Sequence, residues 1–168
     1  GIFNGTSNYI LSSMDKQKKS FDEVLSNAKK LGYAESNPTA DLNGDDVSSK
    51  LKILSSLCFS SFLNNNIYVE GIKNIDRIDI DNANKLGYKI KLLGYAELLD
   101  NKIYQRVHPT LIKKESFVAS IDGVLNAVIV DGKPVGQSTI QGEGAGPAAT
   151  TSALVSDISS ISRGNIKF

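Results

Sequence analysis

The sequence predicts an α+β domain in which helices pack on one face of a mainly antiparallel or mixed β-sheet. In the first half of the 168-residue chain, apolar residues recur every three or four positions, the spacing of helices with one buried face. From Tyr88 onward the apolar residues alternate with a period of two, as in half-buried strands. Helices followed by antiparallel strands are typical of the α+β class, because the helices then cover one face of the sheet.

Composition favours a single globular domain. Hydrophobic residues make up 40% of the chain and charged residues 22%, with a mean hydropathy of -0.15, as in globular rather than disordered proteins. With 19 Lys+Arg and 18 Asp+Glu the net charge is +1, so no global field attracts nucleic acid or an anionic lipid surface. We therefore expect no nucleic-acid partner and no membrane partner.

Cysteine and histidine each occur once, as Cys58 and His108. A single cysteine excludes an intrachain disulfide and a cysteine-based zinc site, so we expect no metal site and a reducing, cytoplasmic location. Cys58 lies in an apolar run, which predicts a buried structural thiol. His108 precedes Pro109 in a strand-like stretch and is expected to be structural.

Two helices are predicted in the first 32 residues. Thr6 or Ser7 is expected to cap the first. Ser20 and Glu23 form the sequence pattern of a capping box, in which each side chain satisfies the other residue's backbone donor. The second helix is expected to end at Gly32, since glycine readily adopts the left-handed conformation found after helices.

Residues 33–44 contain proline, glycine and several turn formers without periodicity, which predicts a loop. From Asp45 a long amphipathic helix is expected to run until the asparagines at 64–66. Its predicted inward positions are Val47, Leu51, Leu54, Cys58 and Phe62.

The second half is predicted to be mostly strands. Asp79 is expected to cap a short helix that ends at Gly87. Strands are predicted at residues 88–98, 102–112, 124–130 and 135–140. Asp131 and Gly132 accept positive φ and are expected to form the last hairpin turn. A helix over residues 147–161 closes the chain.

A glycine-rich loop between the last strand and the last helix is the first candidate site. Its residues are Gly142, Glu143, Gly144, Ala145 and Gly146. Glycines in this place let backbone N–H groups approach a ligand at a helix N-terminus. Glu143 would repel a phosphate if it pointed inward, which favours contact with a neutral group such as a nicotinamide ring. The alternative is a tight turn that only packs closely.

Asp46 and Lys50 are the second candidate, because four residues separate them on one helical face. Nearby carboxylates in the sequence are Glu35, Asp41 and Asp45. The alternative is an exposed pair at a helix N-terminus, which contributes only about 0.2–0.5 kcal/mol. Ile53 and Leu57 continue the same face, which suggests a position at the rim of the core, where a lysine could move protons.

The third candidate is the turn at residues 4–9, where a glycine and hydroxyls precede a helix. N–H or hydroxyl groups of Gly5 and Thr6 would receive a carboxylate at the helix N-terminus. The alternative is a simple N-cap with a flexible turn.

Four segments together closely resemble the substrate-binding and catalytic C-terminal region of homoserine dehydrogenases. They are residues 1–10 (GIFNGTSNYI), 31–44 (LGYAESNPTADLNG), 46–51 (DVSSKL) and 142–146 (GEGAG). Their order and spacing match over essentially the whole chain. Ser48 and Ser49 depart from the family, in which alanine is frequent at these positions.

This resemblance implies a reversible hydride transfer between NAD or NADP and an amino-acid substrate, aspartate semialdehyde or homoserine. It implies Lys50 and Asp46 as catalytic residues and Glu35, Asp41, Gly5 and Thr6 as substrate-binding residues. Residues 142–146 would line the nicotinamide site. Acids at 35, 41 and 46 suit the ammonium group of the substrate, and Lys50 suits its carbonyl oxygen.

The resemblance also implies how the domains of the parent protein are organised. Residues 1–168 would form a catalytic and dimerisation domain, and residues 142–163 would return to a Rossmann nucleotide-binding domain. That domain, with its own glycine motif, a second implicated lysine and a proposed sodium site, lies outside these residues, and the chain begins with Gly1 rather than Met. We therefore expect a fragment of a homodimeric enzyme that is inactive alone. The alternative is a non-catalytic amino-acid-binding or regulatory module.

Overall fold

The computed structural model describes residues 1–59 and 67–164. Its helices are α1 (Gly5–Gln17), α2 (Phe21–Lys30), α3 (Thr39–Asn43), α4 (Asp45–Phe59), α5 (Arg77–Lys85), α6 (Phe117–Ser120) and α7 (Pro147–Ser162). Its strands are β1 (Tyr68–Val69), β2 (Tyr88–Leu99), β3 (Lys102–Lys113), β4 (Leu125–Gly132) and β5 (Gly136–Glu143). The predicted α+β class is confirmed. Within the described ranges, no helix is both long and apolar enough to cross a membrane.

Helix starts follow the local capping chemistry, with two corrections. The capping box of Ser20 and Glu23 is present as predicted. However, α1 is capped by Asn4, whose side chain accepts the Ser7 N–H, and neither Thr6 nor Ser7 is the cap. Similarly, Asp76 caps α5, because Asp79 lies at the third helical position and returns the hydrogen bond.

Short elements were not predicted. The loop expected over residues 33–44 contains α3, and neither β1 nor α6 was foreseen. The predicted position of the last hairpin turn was wrong as well. Asp131 and Gly132 pair with β5, and the turn lies at residues 133–135. Proline at 134 has no N–H to donate to a ladder, so the chain reverses there.

Two small sheets are joined by the first residues of the chain. One has the strand order β1-β3-β2, with β1 parallel and β2 antiparallel to β3, and the other pairs β4 with β5. Ile2 exchanges two backbone hydrogen bonds of 2.8 Å with Ala127 of β4. The carbonyl of Gly1 accepts the Gly94 N–H of β2 at 3.0 Å. Residues 1 and 2 therefore lie between the two sheets.

The main core lies between the helices and one face of the larger sheet. Its buried apolar residues include Ile10, Leu11, Met14, Val24, Val47, Leu51, Ile72, Leu92 and Val107. A second, smaller cluster of Ile2, Ile121 and Ala127 covers part of the opposite face. The rest of that face is open, with Tyr95 and Tyr104 exposed by 39% and 51%.

The outer side of α4 differs from the expectation. Cys58 is exposed, and Ile53 and Leu57 are 62% and 74% exposed. The buried row of α4 passes from Leu51 to Ser55, which accepts a 2.8 Å hydrogen bond from Gln105 of β3, so Cys58 is turned outward. Phe62, also predicted to point inward, lies outside the described residues.

Candidate functional site

Asn4 joins two of the predicted acids. Its side-chain Nδ2 donates to Asp41 Oδ1 at 2.7 Å and to Asp46 Oδ2 at 2.8 Å. Its Oδ1 meanwhile accepts the Ser7 N–H at 2.7 Å as the cap of α1. Asn4 is only 6% exposed, so its amide group is largely shielded from water. One buried amide thus fixes both carboxylates relative to the start of α1.

Lys50 bonds the same Asp46 oxygen, Oδ2, as the Asn4 side chain does. Its Nζ is 2.9 Å from Asp46 Oδ2 and 3.0 Å from the carbonyl oxygen of Phe3. The side chains of Lys50 and Asp46 are 45% and 29% exposed, so the pair lies at the surface end of the cluster. Within residues 1–59 and 67–164, two of the three ammonium protons have acceptors, which leaves one to point at a ligand.

The local sequence explains why these groups meet. Asp46 lies in the first turn of α4, where the helix dipole favours a negative charge, and Lys50 follows one turn later. Gly44, with φ of +89°, ends α3 and turns the chain into α4, so that Asp41 and Asp46 face the same side chain. The hydroxyl of Ser7 also donates to the Asp41 carbonyl at 2.8 Å, tying α1 to α3.

The ring of Phe3, whose carbonyl accepts from Lys50, packs closely against the backbone of β2. A Cβ atom at Gly94 would lie 2.7 Å from the Phe3 ring, so β2 needs glycine there for the ring to fit. Sequence reasoning missed Asn4 and Phe3, since it assigned ligand binding at this turn to Gly5 and Thr6 and the cap to Thr6 or Ser7. The available signal was an asparagine three residues before a serine N–H, which is a typical N-cap spacing.

Thr6 and Glu35 are placed differently from the other predicted residues. The Thr6 hydroxyl donates to the Tyr33 carbonyl at 2.7 Å, so its proton anchors the loop that follows α2. Glu35 lies exposed on that loop, and no hydrogen bond or ion pair joins it to the cluster in the described part of the chain. The first N–H groups of α1, those of Gly5 and Thr6, have no acceptor within the helix.

The glycine loop begins later than predicted. Gly142 and Glu143 still belong to β5, and Gly144 to Gly146 form the connection to α7. Gly146 has φ of +109° and provides no side-chain cap, so the helix starts with open N–H groups. The whole segment is exposed.

Residues 124–126 contact both the start of α1 and the glycine loop. A Cβ atom at Gly5 would lie 2.8 Å from the Val124 carbonyl, and one at Gly144 would overlap the Asn126 side chain. Asn126 Oδ1 is buried and has no hydrogen-bond partner among the described residues. The structure therefore places the predicted loop and the predicted turn on either side of one short segment.

The charges of the cluster favour a cationic ligand group. Asp41 and Asp46 contribute two carboxylates, whereas Lys50 is the one ammonium bonded to them within the described residues. The Asn4 amide is neutral and only helps to satisfy the carboxylate oxygens. A primary ammonium would neutralise the remaining negative charge, while open helix N–H groups suit a carboxylate. An amino acid carries both groups.

Replacing Asn4 by aspartate is expected to destabilise the fold at neutral pH. Aspartate caps helices as well as asparagine, but it loses the donor and adds a third carboxylate beside Asp41 and Asp46. We expect a loss of about 1–3 kcal/mol, because two charged acceptors lose their partner. The loss should shrink as the pH falls below about 4, where carboxylates become protonated and their repulsion ends. Urea unfolding at neutral and acidic pH measures both effects.

The matched control is Asn4→Ser, which keeps a capping oxygen without adding charge. Its destabilisation should vary less with pH, because serine removes the amide donor without adding a third carboxylate. The same pH dependence in Asn4→Asp and Asn4→Ser would contradict the proximity of the three carboxylates.

Comparisons with known proteins agree on one family. The family model described as homoserine dehydrogenase matches residues 1–159. A homoserine dehydrogenase of Neisseria gonorrhoeae is 47% identical over 164 residues, which are 97% of this chain and 38% of that protein. A crystal structure of the S. aureus homoserine dehydrogenase superimposes with a TM-score of 0.90 at 42% identity, covering 96% of this chain and 41% of that one.

A more distant structure adds a cofactor complex. A hyperthermophilic archaeal homoserine dehydrogenase mutant in complex with NADPH superimposes with a TM-score of 0.75 at 26% identity, covering 95% of this chain and 45% of that chain. The chain thus spans less than half the length of each of these three relatives.

Proposed function

Because the chain belongs to the homoserine dehydrogenase family, we propose that it is the catalytic and dimerisation part of an enzyme that interconverts L-homoserine and L-aspartate 4-semialdehyde with NAD or NADP. This reaction serves threonine, methionine and isoleucine synthesis. The observation that carries the proposal is the cluster of Asn4, Asp41, Asp46 and Lys50, which suits an amino-acid substrate.

The acids bind the substrate ammonium group in this proposal. Asp41 and Asp46 are already aligned by Asn4, so little reorganisation is needed when the ligand arrives. Glu35, on the exposed loop that Thr6 anchors, is the third acid. The N–H groups of Gly5 and Thr6 bind the substrate carboxylate at the start of α1.

Lys50 acts on the reacting oxygen. Its bonds to Asp46 and to the Phe3 carbonyl hold the ammonium in place and leave one proton to donate. During reduction of the semialdehyde, Lys50 donates this proton to the carbonyl oxygen, and during oxidation of homoserine it takes the hydroxyl proton back. A bound nicotinamide cofactor would supply the hydride to, or accept it from, the carbon that bears this oxygen.

The residues near the glycine loop fit a nicotinamide group. Asn126 Oδ1 is a buried acceptor without a partner among the described residues, and a carboxamide N–H satisfies such an atom. Exposed glycine backbone beside it, at Gly142, Gly144 and Gly146, permits close approach of a flat ring. Glu143 and Ala145 complete this side of the cofactor site in our proposal.

The apolar side of α7 supports the proposed contact with a nucleotide-binding domain. Leu154, Val155, Ile158 and Ile161 are 46–65% exposed and recur at helical spacing. We assign residues 142–163 to the return of the chain onto that domain. A chain lacking it should be inactive alone, since most of the cofactor site is then absent.

The open face of the larger sheet supports a homodimer. Tyr95 and Tyr104 are exposed there, and the Arg106 guanidinium lies 4.2 Å above the Tyr95 ring. Tyrosine and arginine are enriched at protein interfaces.

A cytoplasmic location also fits the lone, exposed Cys58, because reducing compartments keep such thiols unpaired.

Homoserine-dependent reduction of NADP and of NAD tests the proposed function. We expect turnover by the full-length protein that contains this chain and none by residues 1–168 alone at equal concentration. Circular dichroism of the isolated residues controls for unfolding. A folded full-length protein without turnover on either cofactor would refute the proposal, and binding of a free amino acid by that protein would favour a regulatory module instead.

A further inference from the structure

Lys91 is a buried lysine outside the cluster described above. It lies on β2 and is 1% exposed. Its Nζ donates to Asn8 Oδ1 at 3.0 Å, to the Ile121 carbonyl at 2.6 Å and to Asp122 Oδ1 at 2.7 Å. Three acceptors match the three protons of an ammonium group, so the charged form is fully bonded.

The charges around Lys91 show how this burial is tolerated. Burial lowers the pKa of Lys91, and the hydrogen bond and charge of Asp122 oppose this shift. Burial acts to raise the pKa of Asp122, but hydrogen bonds from Lys91 and Lys16 outweigh it and lower that pKa. Lys16 and Lys89 reach Asp122 from the solvent side at 3.0 and 3.3 Å.

Burying the charges of Lys91 and Asp122 costs more folding free energy than burying an apolar side chain in the same place. Removing charges from water is expensive, and buried ion pairs are often no more stabilising than hydrophobic residues of similar volume. Buried polar groups do, however, fix one geometry, because any other leaves donors or acceptors unpaired. Lys91 therefore fixes the relative positions of Asn8, Ile121 and Asp122, the three residues that it bonds.

Lys91 holds residues 121–125, which run from the end of α6 to the first residue of β4, against α1. Asn8 of α1 accepts from Lys91 and donates through Nδ2 to the carbonyls of Ile121 and Leu125, each at 3.0 Å. The Gly123 N–H donates to Ser12 Oγ, one turn further along α1, at 3.0 Å. The 121–125 segment thus touches α1 along two turns, and Lys91 adds bonds to both sides of this contact, to Asn8 on α1 and to Ile121 and Asp122 on the segment.

The same segment reaches the first turn of α1. The Val124 carbonyl occupies the space beside Gly5 so closely that a Cβ atom there would lie 2.8 Å away. Asn4, which holds Asp41 and Asp46, caps this same turn. A shift of the 121–125 segment is therefore transmitted to the groups that we assign to the substrate.

We propose that Lys91 is a positioning residue for the substrate site, acting through Asn8 and the 121–125 segment on the first turn of α1. This inference rests on the proposed function for the identity of the substrate. Its structural part, the hold of Lys91 on the start of α1, is measurable without turnover.

Lys91→Met in the full-length protein tests the proposal, with Lys89→Met as the matched control. Both lysines lie on β2 and contact Asp122, but Lys89 contacts neither Asn8 nor the Ile121 carbonyl in the described residues. We expect the KM for homoserine to rise about tenfold in Lys91→Met, since small misplacements of binding groups are costly. The control should change the KM for homoserine by less than about twofold.

Hydrogen exchange provides the second readout. Backbone amides of residues 5–12 and 121–127 should exchange about tenfold faster in Lys91→Met than in Lys89→Met, since their shared bonds are lost. Asn8→Ala, which removes the bonds of Asn8 to Lys91, Ile121 and Leu125, should reproduce both effects if Lys91→Met does not fold.

Three results would overturn the proposal. The first is unchanged hydrogen exchange in Lys91→Met, and the second is faster exchange with an unchanged KM for homoserine. The third is an equal effect of Lys89→Met on exchange and KM. A full-length wild-type protein without homoserine turnover would instead refute the proposed function. In that case exchange in residues 5–12 alone decides whether Lys91 holds the start of α1.

Discussion

Lys50→Ala is expected to lower homoserine turnover by a factor of at least ~100 in the full-length protein, the usual loss when a general acid or base is removed. Lys50 is the ammonium held between Asp46 and the Phe3 carbonyl. In the proposed mechanism it donates its third proton to the substrate oxygen, and alanine removes that donor. Steady-state rates of NADP reduction at saturating homoserine measure the effect.

The fold should be almost unaffected by this change. Exposed ion pairs contribute about 0–1 kcal/mol, and the Lys50 side chain is 45% exposed. Lys52→Ala is the matched control, two residues further along α4. Near-normal turnover in Lys50→Ala, or equal losses in both variants, would refute the proton-transfer role of Lys50.

Asp46→Asn is expected to lower kcat/KM for homoserine by roughly 100-fold, since a hydrogen bond to a charged group is worth about 1.5–3 kcal/mol. Asp46 accepts from both Asn4 and Lys50 through the same Oδ2 atom. The amide keeps the size of the side chain but removes the negative charge. The Lys50 ammonium and the incoming substrate ammonium both lose that partner.

Asp45→Asn separates this effect from the helix dipole. Asp45 and Asp46 both lie in the first turn of α4, so both favour the positive helix end by similar amounts. Asp45 is exposed, and its replacement should leave kcat/KM within about twofold of wild type, as expected for an exposed charge. Equal losses in the two variants would show that Asp46 acts only through the helix end.

Elements with strong local signals were predicted from the sequence, and short ones were not. The capping box at Ser20 and Glu23 needs only residues three positions apart, so it was visible in the sequence. Strand β1 has only two residues, Tyr68 and Val69, and exists because it pairs in parallel with Arg106 and Val107. Nothing in the local sequence indicates a partner that far along the chain.

The same distinction holds in the candidate site. Asp46 and Lys50 are four residues apart on one helix, so helix geometry alone predicts that they meet. The bonds of Asn4 to Asp41 and Asp46 join residues 37 and 42 positions apart. Spacing arguments identified the acids but not the buried amide that aligns them.

The sequence by itself determined the α+β class, the capping of α2 and the pairing of Asp46 with Lys50, because each depends on repeats or spacings within a few residues. Tertiary structure decided that Cys58 is exposed, that Asn4 bridges two carboxylates and that Lys91 is buried. These three depend on which distant segments cover a given side chain. Burial and long-range hydrogen bonding are properties of the packed chain, since the periodicity of one helix or strand does not specify what packs against it.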